Sequence, residues 1–284
     1  MDRLAALLSN FHLSASVFNA GALCHGSRHP AKAGTGYVHI LTGGTLHLAV
    51  AGHRARQFDE PVLILLTDDG EHWLGPGAQG AETLCGSFRF GLGQVGPIYR
   101  ALPSLLAVPL DRLDCLSGLL ELMLAEVREE RCGRQATLDR LCEVLVIQLL
   151  RYLMDSGHVD TGLLAGLAHP KLAKAFIALH NQPAVPWTLT GLASEAGMSR
   201  ARFAKVFRDT AGQPPGEYLA LYRLGLAQAK LRDGVSLDAA ASQVGYSSAS
   251  ALAKVFRRHT GLSPIQWRNL QCPETASDQK SKSR

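Results

Sequence analysis

The last hundred residues of the chain contain one pattern written twice. The stretch "GMSRARFAKVFRDTAGQPP" from Gly197 returns as "GYSSASALAKVFRRHTGLSP" from Gly245. Phe207, Gly212 and Pro215 recur at one common offset as Phe256, Gly261 and Pro264. The step from Gly197 to Gly245 is one residue shorter, so the second copy carries an extra residue in its turn. Each copy reads as a short helix, a glycine-centred turn and a longer basic helix, which is the helix-turn-helix arrangement. Two such units with positively charged second helices point to DNA.

The charge distribution agrees with that reading. A length of 284 residues predicts about two domains, and 46% hydrophobic residues allow each a core. The formal net charge is only +5, but residues 171–270 carry 13 Lys and Arg against 5 Asp and Glu, while residues 1–170 carry 13 against 17. The basic excess therefore lies in the half that holds the repeat, as a phosphate-facing domain needs. No apolar run approaches a membrane span, and Leu4–Leu8 is too short for a signal peptide, so the expected location is cytoplasmic with no membrane partner. Cysteines 24, 85, 115, 132, 142 and 272 are then expected to be reduced, and no CxxC pair suggests structural zinc.

Residues 1–110 read as β-structure, with Gly and Pro punctuating "GYVHILT", "TLHLAVAG", "PVLILLT" and "ETLCGSFRFG". Gly43–Gly44 is a hairpin signal between the first two runs. The spacing predicts a small barrel or sandwich. From Asp111 the apolar period becomes helical, through Leu113, Leu116, Leu119, Leu120, Met123, Leu124 and Val127. After a break at Cys132–Gly133 a second helix carries Leu138, Leu141, Leu145, Leu149 and Leu150. This pair either packs on the barrel or also forms a homodimer seam; an apolar stripe fits both. Cys115 and Cys142 fall on the apolar faces and are expected in the core.

The expected domains are an effector domain over 1–155, with helices in 111–154, a Gly-rich linker over 156–170, an all-α DNA-binding domain over 171–270, and a disordered tail over 271–284. Pro170 is expected in the first turn of a helix over Lys171–Gln182. In the first unit Thr188 or Thr190 caps a helix through Leu192, Ala193 and Ala196, Gly197 makes the turn, and Ser199 caps the next helix. That helix buries Phe203, Val206 and Phe207 and leaves Arg200, Ala201, Ala204, Lys205 and Arg208 outward. In the second, Leu237, Ala240 and Val244 precede Gly245, with Ser247 or Ser248 as cap. Leu252, Val255 and Phe256 are buried, and Ala249, Ser250, Ala253, Lys254 and Arg257 face out. Residues 216–234 form a long connecting helix that sets the two units about one duplex turn, ~34 Å, apart.

The segment 171–268 resembles the DNA-binding domain of the AraC/XylS family of transcription regulators. The resemblance rests on "LASEAGMSRARFAKVFRDTAGQPP", "YRLGLAQAKL" and "VGYSSASALAKVFRRHTGLSPIQWR". It implies seven helices, two recognition helices in the major groove of double-stranded promoter DNA, and control of transcription rather than catalysis. It also makes RNA polymerase a candidate protein partner and activation a candidate outcome. Ala251 and Leu252 depart from the family, which commonly has larger aromatics there. Arg200, Arg202 and Lys205 on the first recognition helix are assigned to base reading, since Arg bridges guanine O6 and N7. Arg202 alternatively points to solvent or pairs with Glu195. Lys254 and Arg257 are assigned to phosphate.

A β-barrel before such a domain is similar to the family's cupin-like effector domains. "PVLILLTDDGEHWLG" fits the strand–turn–strand closing a cupin motif, with His72 at the usual histidine position. His39 and His47 are candidate metal ligands, but the full ligand spacing is absent, so neither metal nor cofactor is assigned and His72 is kept as a ligand-binding candidate. Cys24 lies in "ALCHGSRHP" beside His25, Arg28 and His29, where positive charge favours thiolate. Cys132, beside Arg131 and Arg134, is a weaker candidate of the same kind. Cys85 sits in "TLCGSFRFG". The two positions match cysteines of oxidant-responsive family members, including those answering reactive chlorine species. That resemblance implies oxidation of Cys24, to sulfenic acid or a bond with Cys85, as the signal. The alternatives are two core cysteines, a small-molecule effector held in the barrel, and a metal-dependent cupin enzyme with a DNA-binding appendage.

Overall fold

The computed structural model describes residues 2–67, 70–91, 96–129, 131–157, 159 and 161–271. The chain divides into two compact units. One comprises residues 11–168, and the other joins the residues up to Asn10 with the described residues from His169 onward. The first ten residues thus belong with the C-terminal helical unit and not with the sheet. The expected linker 156–170 is mostly part of the barrel unit, because "LLAGLA" forms a helix, α4 (Leu163–Ala168), whose leucines are all buried. The expected disordered tail falls outside the described residues apart from Gln271, which closes the last helix.

The first unit is built on an antiparallel sheet: β1 (Leu13–Leu23), β2 (Ser27–His29), β3 (Thr35–Val50), β4 (Arg56–Phe58), β5 (Val62–Leu66), β6 (His72–Phe90) and β7 (Leu105–Pro109). The strand order is β1-β6-β3-β5-β7, with β2 beside β6 and β4 beside β3. The anticipated hairpin at Gly43–Gly44 does not form. "GYVHILT" and "TLHLAVAG" are one strand, β3, which shifts register between Leu41 and Gly43 and again between Gly44 and Leu46. These irregularities bend β3 and β6 together, as bulges do. Gly44 has φ +80°, and a Cβ there would run into the carbonyl oxygen of Gly80 on the paired strand. Glycine is required at this place by both backbone and space.

The bend rolls the sheet over itself. His39 pairs with Cys85 in the ladder, so His72 lies 13 residues further along β6, about 43 Å away if the strand ran straight. Instead the two imidazoles meet at 2.9 Å. Inside the roll, Leu41, Leu46, Leu48, Ile64, Leu74 and Cys85 form a continuous core. Every residue of β5 is buried, which is why "VLILL" does not alternate. The unit is thus a rolled β-domain followed by helices.

The predicted helix from Asp111 begins later. Two 3₁₀ turns, Leu110–Arg112 and Asp114–Leu116, come first, and α2 spans Ser117–Glu129. Cys115 is consequently exposed and not in the core. α3 (Arg134–Asp155) buries Leu138, Cys142, Leu145, Val146, Leu149, Leu150 and Leu153. It docks where β1 is irregular, between Val17 and Asn19. There the Val17 amide donates to Asp139 Oδ1 at 2.9 Å, and Gln135 Nε2 donates to the Val17 carbonyl at 2.8 Å. Side chains of α3 thus satisfy a backbone position that the ladder leaves open.

The second unit holds seven helices from His169 onward among the described residues: α5 (Leu172–Asn181), α6 (Leu189–Glu195), α7 (Arg200–Ala211), α8 (Pro215–Arg232), α9 (Leu237–Val244), α10 (Ala249–Thr260) and α11 (Pro264–Gln271). Pro170 is not in the first turn of α5. His169 caps it instead, its Nδ1 accepting from the amides of Lys171 and Leu172 at 3.1 Å each. A short helix from the chain start, α1 (Ala5–Asn10), packs against α5 with Leu4 and Leu7 buried. Asp2 Oδ1 accepts from the amides of Leu4 and Ala5, which starts it. Asn10 Nδ2 donates to the hydroxyl of Tyr222 on α8 at 3.1 Å.

Gly44→Ala should destabilise the protein by roughly 1 kcal/mol more than Gly52→Ala. Gly52 also has positive φ, +78°, but nothing within 4 Å of an added Cβ. Equal losses in urea unfolding of the two variants would remove the bulge argument.

Candidate DNA interface and signal site

In the first helix-turn-helix Thr188, not Thr190, is the cap of α6, its hydroxyl accepting from the Gly191 amide at 3.0 Å. Leu192, Ala193 and Ala196 are buried. Gly197 turns the chain at φ +60°, and the Met198 amide returns to the Ala193 carbonyl at 2.9 Å. Ser199 caps α7 by accepting from the Arg202 amide at 3.4 Å. Phe203 and Phe207, one turn apart, are fully buried. They fix the rotation of α7 and leave Ser199, Arg200, Ala201, Arg202, Lys205 and Arg208 exposed, with Ala204 and Val206 half-buried. Among the described residues Arg202 makes no ion pair with Glu195. One acidic residue, Asp209, shares the exposed surface of α7.

The second helix-turn-helix repeats this geometry. Ser236 caps α9 by accepting from the Ala239 amide at 3.3 Å, and Ala240, Ala241 and Val244 are buried. Gly245 turns at φ +91°, and the Tyr246 amide bonds the Ala241 carbonyl at 2.9 Å. Of the two serines, Ser248 is the cap, accepting from the Ala251 amide at 3.2 Å. Leu252 and Phe256 are buried at the same one-turn spacing, while Val255 is half-buried. Ser247, Ser248, Ser250, Lys254 and Arg257 are exposed, and Ala249 and Ala253 half-buried. A hollow of about 440 Å³ is lined by Ser250, Ala253, Lys254, Arg257, Arg258 and Ser263. Arg258 and Ser263 were not singled out in the sequence, although "RR" in the last turn of a basic helix and "SP" opening the next were available signals. Ser263 Oγ accepts from the Gln266 amide while Gln266 Oε1 accepts from the Ser263 amide, a reciprocal cap.

In the barrel the roll brings His72 to His39 and His29, not to His47. His39 and His72 share a hydrogen bond between their Nε2 atoms at 2.9 Å, and the rings of His29 and His72 stack at 4.8 Å. His47 faces elsewhere and is half-buried. Burial, with the charges of His72 and His29, holds His39 well below the usual imidazole range, and burial with His29 lowers His72 to about 4. Both rings are therefore neutral near pH 7, one Nε2 donating and the other accepting. The Nε2 of His29 is engaged with Ser27 Oγ at 2.9 Å. Among the described residues no group of three or more His, Cys, Asp or Glu is arranged to hold a metal ion.

The two candidate sensor thiols lie apart. Cys24 is exposed and lines a cleft of about 600 Å³ with Leu23, Gly43, Gly44, Gly80 and Glu82. Cys85 is 2% exposed, and burial pushes its thiol up to about 11. Leu23 pairs with Ala81 and Asn19 with Cys85, so Cys24 sits about five residues along the ladder from Cys85, roughly 16 Å. A disulfide needs Cα atoms within about 7 Å, so this register does not bring the two sulfurs together. Arg28, read as a thiolate-favouring neighbour, pairs with Glu71 at 3.3 Å.

A cupin family model matches residues 2–155, and a helix-turn-helix domain model matches residues 192–270. An AraC-like transcription regulator of Streptomyces antibioticus is 31% identical over 252 residues, covering 87% of this chain and 83% of that protein. The chain belongs to the AraC-like transcription regulators. Another such regulator, from Streptomyces lividans, is 35% identical over 187 residues, 64% of this chain and 62% of that protein. The chain thus spans less than two thirds of that relative's length. The RCS-specific transcriptional activator RclR of Escherichia coli is 33% identical over 144 residues, 51% of this chain and 52% of that protein. These relatives are named as regulators, so this regulator stands in a non-enzymatic family. Among the described residues no helix is long and apolar enough to cross a membrane.

The neutral histidine pair gives this regulator a defined acid response. A base held below its unfolded value contributes stability that is complete above about pH 6.5 and is lost as pH falls towards about 4, because the unfolded chain then binds protons that the fold refuses. The melting temperature should fall across that window, and His72→Gln should shrink the fall. An unchanged pH profile in the variant counts against the pair as its source.

Proposed function

We propose that the regulator binds promoter DNA sequence-specifically by seating α7 and α10 in successive major grooves of one duplex face. The observation that carries this is the repeated presentation: each helix is capped by serine and pinned by two buried apolar side chains one turn apart. Each then turns a basic face outward. Arg200, Arg202 and Lys205, with Arg208 further along, supply the long donors that base edges require. On α10 the half-buried Ala249 and Ala253 offer little reach. Lys254 and Arg257, with Arg258 and Ser263 in the same hollow, serve the phosphate backbone, and Ser250 stands at its edge. RNA polymerase is the further protein partner that control of transcription calls for, and activation is the sense that the name of the RclR relative supports. A second copy of the chain is supported by Leu122 on α2 and Val144 on α3, which are 50% and 43% exposed.

The signal enters at the Cys24 cleft. In the oxidant reading, which agrees with the name of the RclR relative, the Cys24 thiol gains oxygen and gives up two electrons to hypochlorous acid. Chlorine leaves as chloride, and the product is a sulfenic acid. Cys85 contributes packing rather than a direct disulfide. The cleft's volume favours a second reading, a small-molecule effector bound beside Cys24; His72 is then sealed in the interior and shapes the barrel without touching the ligand.

Arg200→Ala or Lys205→Ala should cost about 1–3 kcal/mol of affinity for a duplex selected from a random pool, and should relax its sequence preference. Lys254→Ala or Arg257→Ala should weaken all duplexes evenly and lower the salt slope by about 1. Anisotropy titrations over a salt series read both, and unchanged binding in the α7 variants moves base reading elsewhere. For the signal, hypochlorous acid at a dose that leaves the fold intact should modify Cys24 before Cys85, by mass spectrometry, and should change duplex affinity. A Cys24→Ser protein that still responds excludes the thiol route.

A further inference from the structure

The two helix-turn-helix units meet at one side chain. Arg223, in the middle of α8, donates from Nε to the Pro183 carbonyl at 2.7 Å and from Nη2 to the Val185 carbonyl at 2.9 Å. Its Nη1 donates to the Gly245 carbonyl at 3.2 Å. The guanidinium carbon lies 5.6 Å from the centroid of the Tyr246 ring. Pro183 and Val185 belong to the loop between α5 and α6, three to five residues before the Thr188 cap. Gly245 and Tyr246 are the turn of the second unit, just before the Ser248 cap. The guanidinium therefore ties the entry of one unit to the turn of the other.

We propose that Arg223 is the positioning residue that sets the register between the two recognition helices, and so the spacing of DNA sites the protein accepts. This rests on the two-groove reading above. The reason is geometric. α8 is about 27 Å long and sets a distance, but a helix alone does not fix the rotation of the units at its two ends. A planar fork with five N–H donors reaches three carbonyls in two segments at once, whereas the ammonium of lysine is a single point. The packing leaves no slack: a Cβ on Gly245 would lie 2.7 Å from Ala184 Cα and 2.9 Å from Arg223 Nη2. Glycine at this turn thus admits both the positive φ and the close approach of the other unit.

The test uses the full chain and duplexes selected by it from a random pool, then re-made with one or two base pairs inserted between the two half-sites, or with only the first half-site. Wild type should prefer the native spacing by roughly tenfold or more. Arg223→Lys should reduce that preference to about threefold or less, yet keep its affinity for the single half-site within about twofold. Tyr246→Leu, which removes only the ring beside the guanidinium, should move the ratio the same way by less. Circular dichroism identifies a variant that has unfolded, and Tyr246→Leu then decides the matter. Overturning results are a uniform loss on all duplexes with the spacing ratio intact, which marks a stabilising residue only, or an unaltered ratio in a folded variant. A wild-type protein indifferent to spacing defeats the two-groove reading itself, and this proposal with it.

Discussion

Each half of the DNA-binding unit depends on one buried pair: Phe203 with Phe207, and Leu252 with Phe256. Truncating a core phenylalanine costs about 3–5 kcal/mol, whereas an exposed ion pair on a helix contributes about 0.3–0.5 kcal/mol. The apolar pair therefore decides which way α7 and α10 face, and the basic residues follow. Phe207 stacks on Phe176 of α5 with centroids 4.7 Å apart and meets Tyr218 of α8 edge-on, which anchors α7 to the long helix. Phe256 does the same for α10 through Trp267 of α11. The basic outer face of each helix is what the core leaves over.

The long helix is also where buried polarity is concentrated. His180 Nε2 and the Tyr218 hydroxyl share a hydrogen bond at 2.7 Å, and the Tyr222 hydroxyl donates to the His180 carbonyl at 3.4 Å. Asn10, from the start of the chain, adds its amide to Tyr222. Burial lowers His180 to about 3 and raises Tyr222 well above the usual phenol range, so both stay neutral and the network is held without charge. The chain's first ten residues thereby complete a unit whose other members lie more than 150 residues away.

In the barrel unit, two strands of 16 and 19 residues do the work of four. Irregularities at Leu41–Leu46 let β3 and β6 bend together, and the bend closes the interior around His39 and His72. The same geometry separates features that look adjacent on paper. His47, eight positions from His39, takes no part in the histidine group. Cys24 directly follows β1 and Cys85 lies on the paired β6, yet several residues out of step.

The residues alone determined the twin units, the Ser199 cap, the turn glycines and four of the six side chains expected in the core of the two helices, Val206 and Val255 being half-buried instead. Those depend on spacing within one helix or turn, and helical periodicity is written locally. They also determined that β-structure precedes helices, since the apolar period changes near residue 111. Which of two neighbouring serines or threonines caps a helix was left open, because both are chemically able and only backbone geometry selects. Reading Gly43–Gly44 as a turn failed because a glycine pair serves a bulge as well as a hairpin, and the partner strand decides. The meeting of His39 with His72, the separation of Cys24 from Cys85, the docking of α1 on α5, and the three carbonyls around Arg223 were settled only by tertiary structure. Each joins segments distant in the chain, whose proximity follows from how bent strands and packed helices close on a shared core.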